Sequence, residues 1–301
     1  MNAQLIRTFR VHDTRVTAIC AVSEGERFVS GAADGSLRIG SLLHDDALFT
    51  TQMASGVTTI TAFKDSYFVV TGYQDGNIIL LNAETGETVR TIRGHDGKVT
   101  SLVVSEDGKT VLSSSEDGSI RIWDSVSGQE LQKFGDDNET TRSMTLLPDS
   151  TAFVSSETTT DGQNTLRIRT LAQTEDNDIV RDFATLDTDV TNLGFDASGN
   201  YLVTISEDGD ITLWAWEDGS VERTIETNTG ISTALLMPNK RHTLLGTHQS
   251  KLTIWNIETG KHIYTFDTPS DRVTSTAISP DNHYVLAGCR DGMMNVYQLL
   301  G

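Results

Sequence analysis

Carboxylates set immediately before glycine are the first candidates for chemistry in this chain. Asp34, Asp75, Asp117, Asp208 and Asp291 each precede a Gly, and Asp161-Gly162 is another such pair. A calcium loop needs several oxygen ligands converging within one short segment, whereas each of these sites offers a single carboxylate, repeated at intervals. Asp-Gly between two apolar runs is instead a hairpin signal, because Gly accepts positive φ. The histidines do not supply metal ligands either: His242, His248, His262 and His283 follow no ligand spacing. No Gly-x-Ser-x-Gly elbow and no Gly-x-x-x-x-Gly-Lys phosphate loop occurs. Cys20 and Cys289 stand 269 residues apart without a CxxC pair, which predicts two reduced thiols. The expectation is no catalytic residue, no metal and no cofactor.

The elements that position these residues recur. Between residues 94 and 124, Gly94-His95 precedes the apolar alternation Val99 to Val104 and a turn at Glu106-Asp107-Gly108. Thr110 to Ser115, the Asp117-Gly118 turn and Ser119-Ile120-Arg121-Ile122-Trp123-Asp124 follow. Runs of this length and alternation predict short strands in an antiparallel meander. The Trp123 position has equivalents at Gly40, Leu81, Arg169, Trp214, Trp255 and Tyr297, spaced 41 to 46 residues apart. Seven units therefore fill the chain, with the fourth (a longer Glu157 to Asn164 connection) and the sixth (Gln249-Ser250 at the turn) irregular.

The segment from Gly94-His95 to Trp123-Asp124 resembles a WD-repeat unit, and the resemblance extends with falling quality over essentially the whole chain. It implies an all-β fold: a seven-bladed β-propeller of four-stranded antiparallel blades. The units run approximately 12–51, 54–93, 95–135, 138–184, 187–226, 229–267 and 270–300. The fourth-strand pattern seen at Thr88 to Arg93 is also found at Leu5-Ile6-Arg7-Thr8-Phe9, ahead of the first unit, while the seventh unit ends after its third strand. A closing strand over 4–10 is therefore expected to complete the last blade, removing exposed edges. The family's intrablade hydrogen-bonded network maps onto His95, Ser113, Asp117 and Trp123; the first unit keeps His12, Ser30 and Asp34 but has Gly40 in the Trp place.

Composition limits the partners. The formal net charge of −19 repels phosphate backbones and anionic lipid, so nucleic acid and membrane are not expected partners. No apolar run approaches the roughly 18 residues of a membrane helix, and the N-terminus lacks a signal-like segment. The sequon Asn138-Glu139-Thr140 would matter only in a secreted chain. These features predict a cytoplasmic protein, with the nucleus open as well, monomeric on its own.

The resemblance implies peptide docking on the narrow face, at the residues flanking the first apolar position of each inner strand and the residue before each turn Asp. Those 21 positions hold five basic residues against three acids, an excess of two positive charges on an acidic protein. Arg15, Thr17, Lys98, Arg142, Arg272 and Arg290 are the candidate partner-binding residues. Arg15 belongs to the first blade and Arg272 and Arg290 to the seventh, which closure makes neighbours. Arginine captures carboxylate or phosphate bidentately. An acidic or phosphorylated peptide is the expected ligand; the competing expectation is that these arginines are ordinary solvated residues or pair with local acids such as Asp13, Asp271 and Asp291. The implied role is a non-catalytic interaction scaffold or adaptor. The alternatives are a permanent structural subunit held through outer strands, with the acid-rich Leu171 to Asp178 connection as an edge contact, and a propeller enzyme with a central-channel site.

Overall fold

The computed structural model describes residues 2–300 apart from 23–26, 43, 45–46, 136–138 and 172–178. Asn138 of the sequon and the acid-rich stretch 172–178 thus lie outside the described residues. All described elements are strands, arranged as seven four-stranded antiparallel sheets that form a seven-bladed β-propeller.

Six blades are consecutive meanders, and the seventh is assembled from both chain ends. Strand β1 (Asn2–Arg10) pairs antiparallel with β28 (Met293–Leu300), giving the order β1, β28, β27 (Tyr284–Cys289), β26 (Val273–Ile278). The register runs from Asn2 opposite Leu300 to Arg10 opposite Met293. One apolar cluster spans the seam: Val11, Val16, Ile19 and Phe28 pack with Ala277, Leu286, Met294 and Val296. Gly288 is required here, since a Cβ at that position would collide with Val16 and Ile19 of the first blade.

The inner strand of each blade touches its counterparts on either side, so that β2 (Val16–Val22), β6 (Val57–Ala62), β10 (Val99–Val104), β14 (Thr140–Leu146), β18 (Val190–Phe195), β22 (Ile231–Leu236) and β26 line a central channel. The second strands, such as β11 (Thr110–Ser115), are covered on both faces by neighbouring blades and are almost wholly buried. That double burial is why they read as runs of small and apolar residues instead of a clean alternation.

Every inner strand carries a β-bulge at the same place. The unpaired residues are Thr17, Thr58, Thr100, Arg142, Thr191, Ser232 and Thr274. A bulge re-aims one side chain and sharpens the local twist, and here it does so seven times around one mouth of the channel.

Candidate functional site on the channel mouth

The blade-three network is a chain of hydrogen bonds. Trp123 Nε1–H donates to Ser113 Oγ at 2.7 Å, and Ser113 Oγ lies 2.7 Å from His95 Nε2. His95 Nδ1 lies 2.9 Å from Asp117 Oδ2, which also accepts the Asp96 N–H at 3.0 Å. Burial, as the largest effect, lowers the His95 pKa despite Asp117, so the contact joins a neutral ring to a carboxylate. Burial would raise Asp117 in turn, but the Ser119 hydroxyl and N–H together with His95 hold its carboxyl well below the ordinary range. The other turn carboxylates do the same local work: Asp34 accepts from the Ser36 N–H, Asp75 from Asn77 and Asp291 from Met293, at 2.9 to 3.2 Å.

The first blade departs from this scheme. His12 Nε2 meets Ser30 Oγ at 2.9 Å, but Nδ1 meets Ser36 Oγ at 2.6 Å, so Ser36 stands between the ring and Asp34. Ser119 holds the corresponding place in blade three, 3.2 Å from His95 Nδ1. The space left by Gly40 is taken by the Phe28 ring, against which a Cβ at that position would clash. Blade five retains half the network, Trp214 Nε1–H donating to Thr204 Oγ1 at 3.0 Å.

Blade four uses charge where the others use an indole. On β15 (Ala152–Thr158) and β16 (Asn164–Thr170), Arg169 fills the Trp position and donates to Ser155 Oγ at 2.8 Å, as Trp123 does to Ser113. Arg169 is paired through both terminal nitrogens with the buried Glu157. Arg167 adds bonds to Glu157 at 2.9 Å and Glu139 at 2.7 Å. Burial favours the neutral form of Glu157, yet Arg169, Ser155 and Arg167 together lower its pKa. The signal legible in sequence was the charged Arg169 at the Trp position.

At the mouth where the inner strands begin, a cavity of about 470 Å³ is lined by Arg15, Thr17, Val57, Thr58, Gln74, Lys98, Ser232, Arg272, Thr274 and Arg290. The structure thus brings together Arg15, Thr17, Lys98, Arg272 and Arg290. Arg142 lies outside this group, 2.6 Å from Asp189 and 3.5 Å from Glu207 of the next blade. Lys98 is paired with Glu116 at 2.9 Å.

Among the described residues, Arg15, Arg272 and Arg290 form no ion pair. Two of the neighbouring acids bond backbone donors: Asp271 accepts the Arg272 N–H at 2.7 Å, and Asp291 accepts the N–H of Asp271 and of Met293. Two polar atoms in the cavity wall, Arg272 Nε and Thr58 Oγ1, are buried and make no hydrogen bond to the described residues.

The bulged threonines, by contrast, are structural. Thr17 donates to Gly31 O at 3.0 Å and Thr191 to Ile205 O at 2.9 Å, each tying the bulge to the second strand. Thr100 reaches Thr141 O at 2.7 Å and Ser232 reaches Val273 O at 2.6 Å, each crossing to the next blade. In these blades the bulge residue's short hydroxyl ties it to a neighbouring carbonyl, whereas in blade four the same bulge carries Arg142.

The family model described as WD domain, G-beta repeat matches residues 3–39, 86–124, 180–215 and 260–298, together half of the chain. Among curated relatives, the p21-activated protein kinase-interacting protein 1-like of Danio rerio is 30% identical over 128 residues, covering 39% of this chain and 32% of that protein. The serine-threonine kinase receptor-associated protein of Gallus gallus is 24% identical over 245 residues, 81% of this chain and 65% of that protein. The target of rapamycin complex subunit LST8 of Bos taurus is 22% identical over 200 residues, covering 66% and 60%. In all three the match spans less than two thirds of the relative's own length. Their names describe proteins that interact with kinases or receptors or serve as complex subunits, and the family is generally non-enzymatic. With seven four-stranded antiparallel blades, the His95–Ser113–Trp123 network and these four repeat matches, the chain belongs to the WD-repeat family.

Proposed function

We propose that this protein is a non-catalytic interaction scaffold that docks an acidic or phosphorylated peptide segment at the junction of blades seven and one. The observation that carries this reading is the set of three guanidiniums, Arg15, Arg272 and Arg290, that line one cavity and form no ion pair among the described residues. On a protein of net charge −19, a cavity that gathers three guanidiniums stands apart from the acidic bulk surface. Guanidiniums that are pre-positioned and only weakly hydrated are suited to bidentate capture of carboxylate or phosphate. Arg272, half-buried with an unpartnered Nε, is the anchor of the set.

A structural-subunit role through the outer strands has less support. The exposed large apolar residues there are single in four blades, Phe49, Val89, Leu131 and Val221, and only the closing strand of blade seven carries two together, Leu5 and Ile6.

The test is a pulldown from cell extract comparing wild type with Arg15→Glu/Arg272→Glu/Arg290→Glu, after circular dichroism shows that both fold. Loss of a specific partner in the triple variant supports the reading. Retention of every partner sinks it.

A further inference from the structure

The opposite mouth of the channel has a different chemistry. There the inner strands end, and a second cavity of about 450 Å³, within the range typical of ligand sites, opens toward blades two to six. Val103, Val104, Leu146, Leu147, Phe195 and Leu236 supply its walls from four adjacent blades. Phe195 is buried and the other five are only half-covered, so the bowl presents contiguous apolar surface at the end of the channel. Blades one and seven do not share in it: at the matching positions Cys20 and Ala21, and Ala277 and Ile278, are buried.

Charge at the rim selects the occupant. Lys64 and Lys240 stand at the edge with a single acid, Glu106. Lys64 hydrogen-bonds to Glu106, and that bond first, with the more distant Lys240 acting in the same direction, lowers the Glu106 pKa. Lys240, carried by blade six at a turn position with φ of 52°, is exposed and has no ion pair among the described residues. Glu106 and Asp65 thus stand beside Lys64, while Lys240 is the lining cation without an ion pair among the described residues, above an apolar floor.

We infer that this mouth is a second docking site, independent of the arginine mouth, for an extended peptide bearing one bulky apolar side chain flanked by carboxylates. The apolar side chain fills the bowl, where burial of a single anchor supplies most of the affinity. The flanking carboxylate meets Lys240. Self-association would instead require two chains of charge −19 to approach, with Val126, 75% exposed, as the available apolar knob. A scaffold with an anionic-group site at one mouth and an apolar-anchor site at the other can hold two segments at once, on opposite faces.

The experiment uses the full chain and a fluorescein-labelled peptide, Gly-Ser-Glu-Phe-Glu-Ser-Gly, with two controls: one with both Glu replaced by Lys, one with Phe replaced by Ser. Binding is read by anisotropy and located by hydrogen exchange. The Glu-flanked Phe peptide is expected to bind and to protect 103–106, 146–150 and 236–240, and both controls to bind about tenfold more weakly or not at all. Lys240→Glu should weaken the Glu-flanked peptide about tenfold and improve the Lys-flanked one. The Arg15/Arg272/Arg290 triple Glu variant should leave binding within about twofold, which separates this site from the one proposed above. Equal binding of Glu- and Lys-flanked peptides, protection at the arginine mouth, or no binding up to the solubility limit overturns the inference. So does a concentration-dependent dimer abolished by Val126→Asp, which would give the bowl to a second copy.

Discussion

Thr274 of the last blade donates its hydroxyl to the carbonyl of Val16 in the first, at 2.5 Å, across the seam where the two chain ends meet. The same hydroxyl lies 3.2 Å from Gly288 O, so one bulged residue fastens the inner strand of blade seven both to its own second strand and to blade one. Replacing it with Val leaves two carbonyls short of a donor. Thr274→Val is expected to cost about 1–2 kcal/mol, measured by urea denaturation, while Thr17→Val, whose hydroxyl stays within its own blade, should cost less.

Deleting residues 1–10 removes the whole outer strand of blade seven and the Phe9 contact with the seam cluster. It also exposes the edge of β28, a row of unpaired backbone groups that invites aggregation. Loss of the cooperative thermal transition, with high-mass species on size exclusion, is expected. A truncated chain that melts like the full one would show that the ring does not depend on its closing strand.

In blade four, Arg169 is 3% exposed and Glu157 also 3%. Removing Arg169 leaves the buried Glu157 with Arg167 as its one remaining cation, so Arg169→Leu should cost up to about 3–5 kcal/mol. Converting the pair to the blade-three arrangement, Arg169→Trp with Glu157→Ser, removes both charges and offers Ser155 an indole donor. The double variant is expected within about 1–2 kcal/mol of wild type, checked by chemical denaturation of all three proteins; a double variant as unstable as the single one would contradict this account.

How far the fold could be read from sequence follows from where the signals lie. Period-two runs and Asp-Gly turns are local, and they delimit the strands; the shared pattern of Leu5 to Phe9 and Thr88 to Arg93 discloses the closing strand. What stayed hidden is non-local. The bulge at Thr17 and its equivalents depends on cross-strand register, which a sequence does not print. Arg169 was visible as a missing Trp, but its partner Glu157 is defined only by the pairing of β15 with β16. Arg15, Arg272 and Arg290 could be placed on one mouth by counting, whereas the pairing that sets Arg142 and Lys98 apart from them rests on side-chain geometry.

His12 gives the protein a defined acid sensitivity. It is 1% exposed, and its pKa is lowered to about 4, first by burial and then by Arg38. As pH falls below 6.5 the unfolded chain takes up a proton that the folded ring refuses until about pH 4. Its contribution is therefore complete above pH 6.5 and is lost progressively down to about pH 4, a loss of about 3 kcal/mol in all. His95 acts in the same direction. Urea denaturation at pH 7.5 and pH 5 should show this decline, and His12→Gln should flatten it; an unchanged profile in the variant would place the sensitivity elsewhere.

The five mapped cations should not contribute equally to partner binding. Arg142 must give up Asp189 and Glu207 before it can meet a ligand, and Lys98 must give up Glu116. Each loses a favourable contact for every one it gains, and an exposed pair of this kind is worth at most about 1 kcal/mol to the fold. Arg272 has no such internal acid and leaves a buried Nε unbonded, so a ligand contact there is added without an exchange. Alanine at Arg272 is accordingly expected to weaken capture of the partner identified in the pulldown by about tenfold or more, and alanine at Arg142 or Lys98 by about threefold or less. Titration calorimetry on the purified partner separates the two outcomes: equal losses at all three positions would mean that the ligand straddles the ring and that the blade seven and one junction is not its anchor.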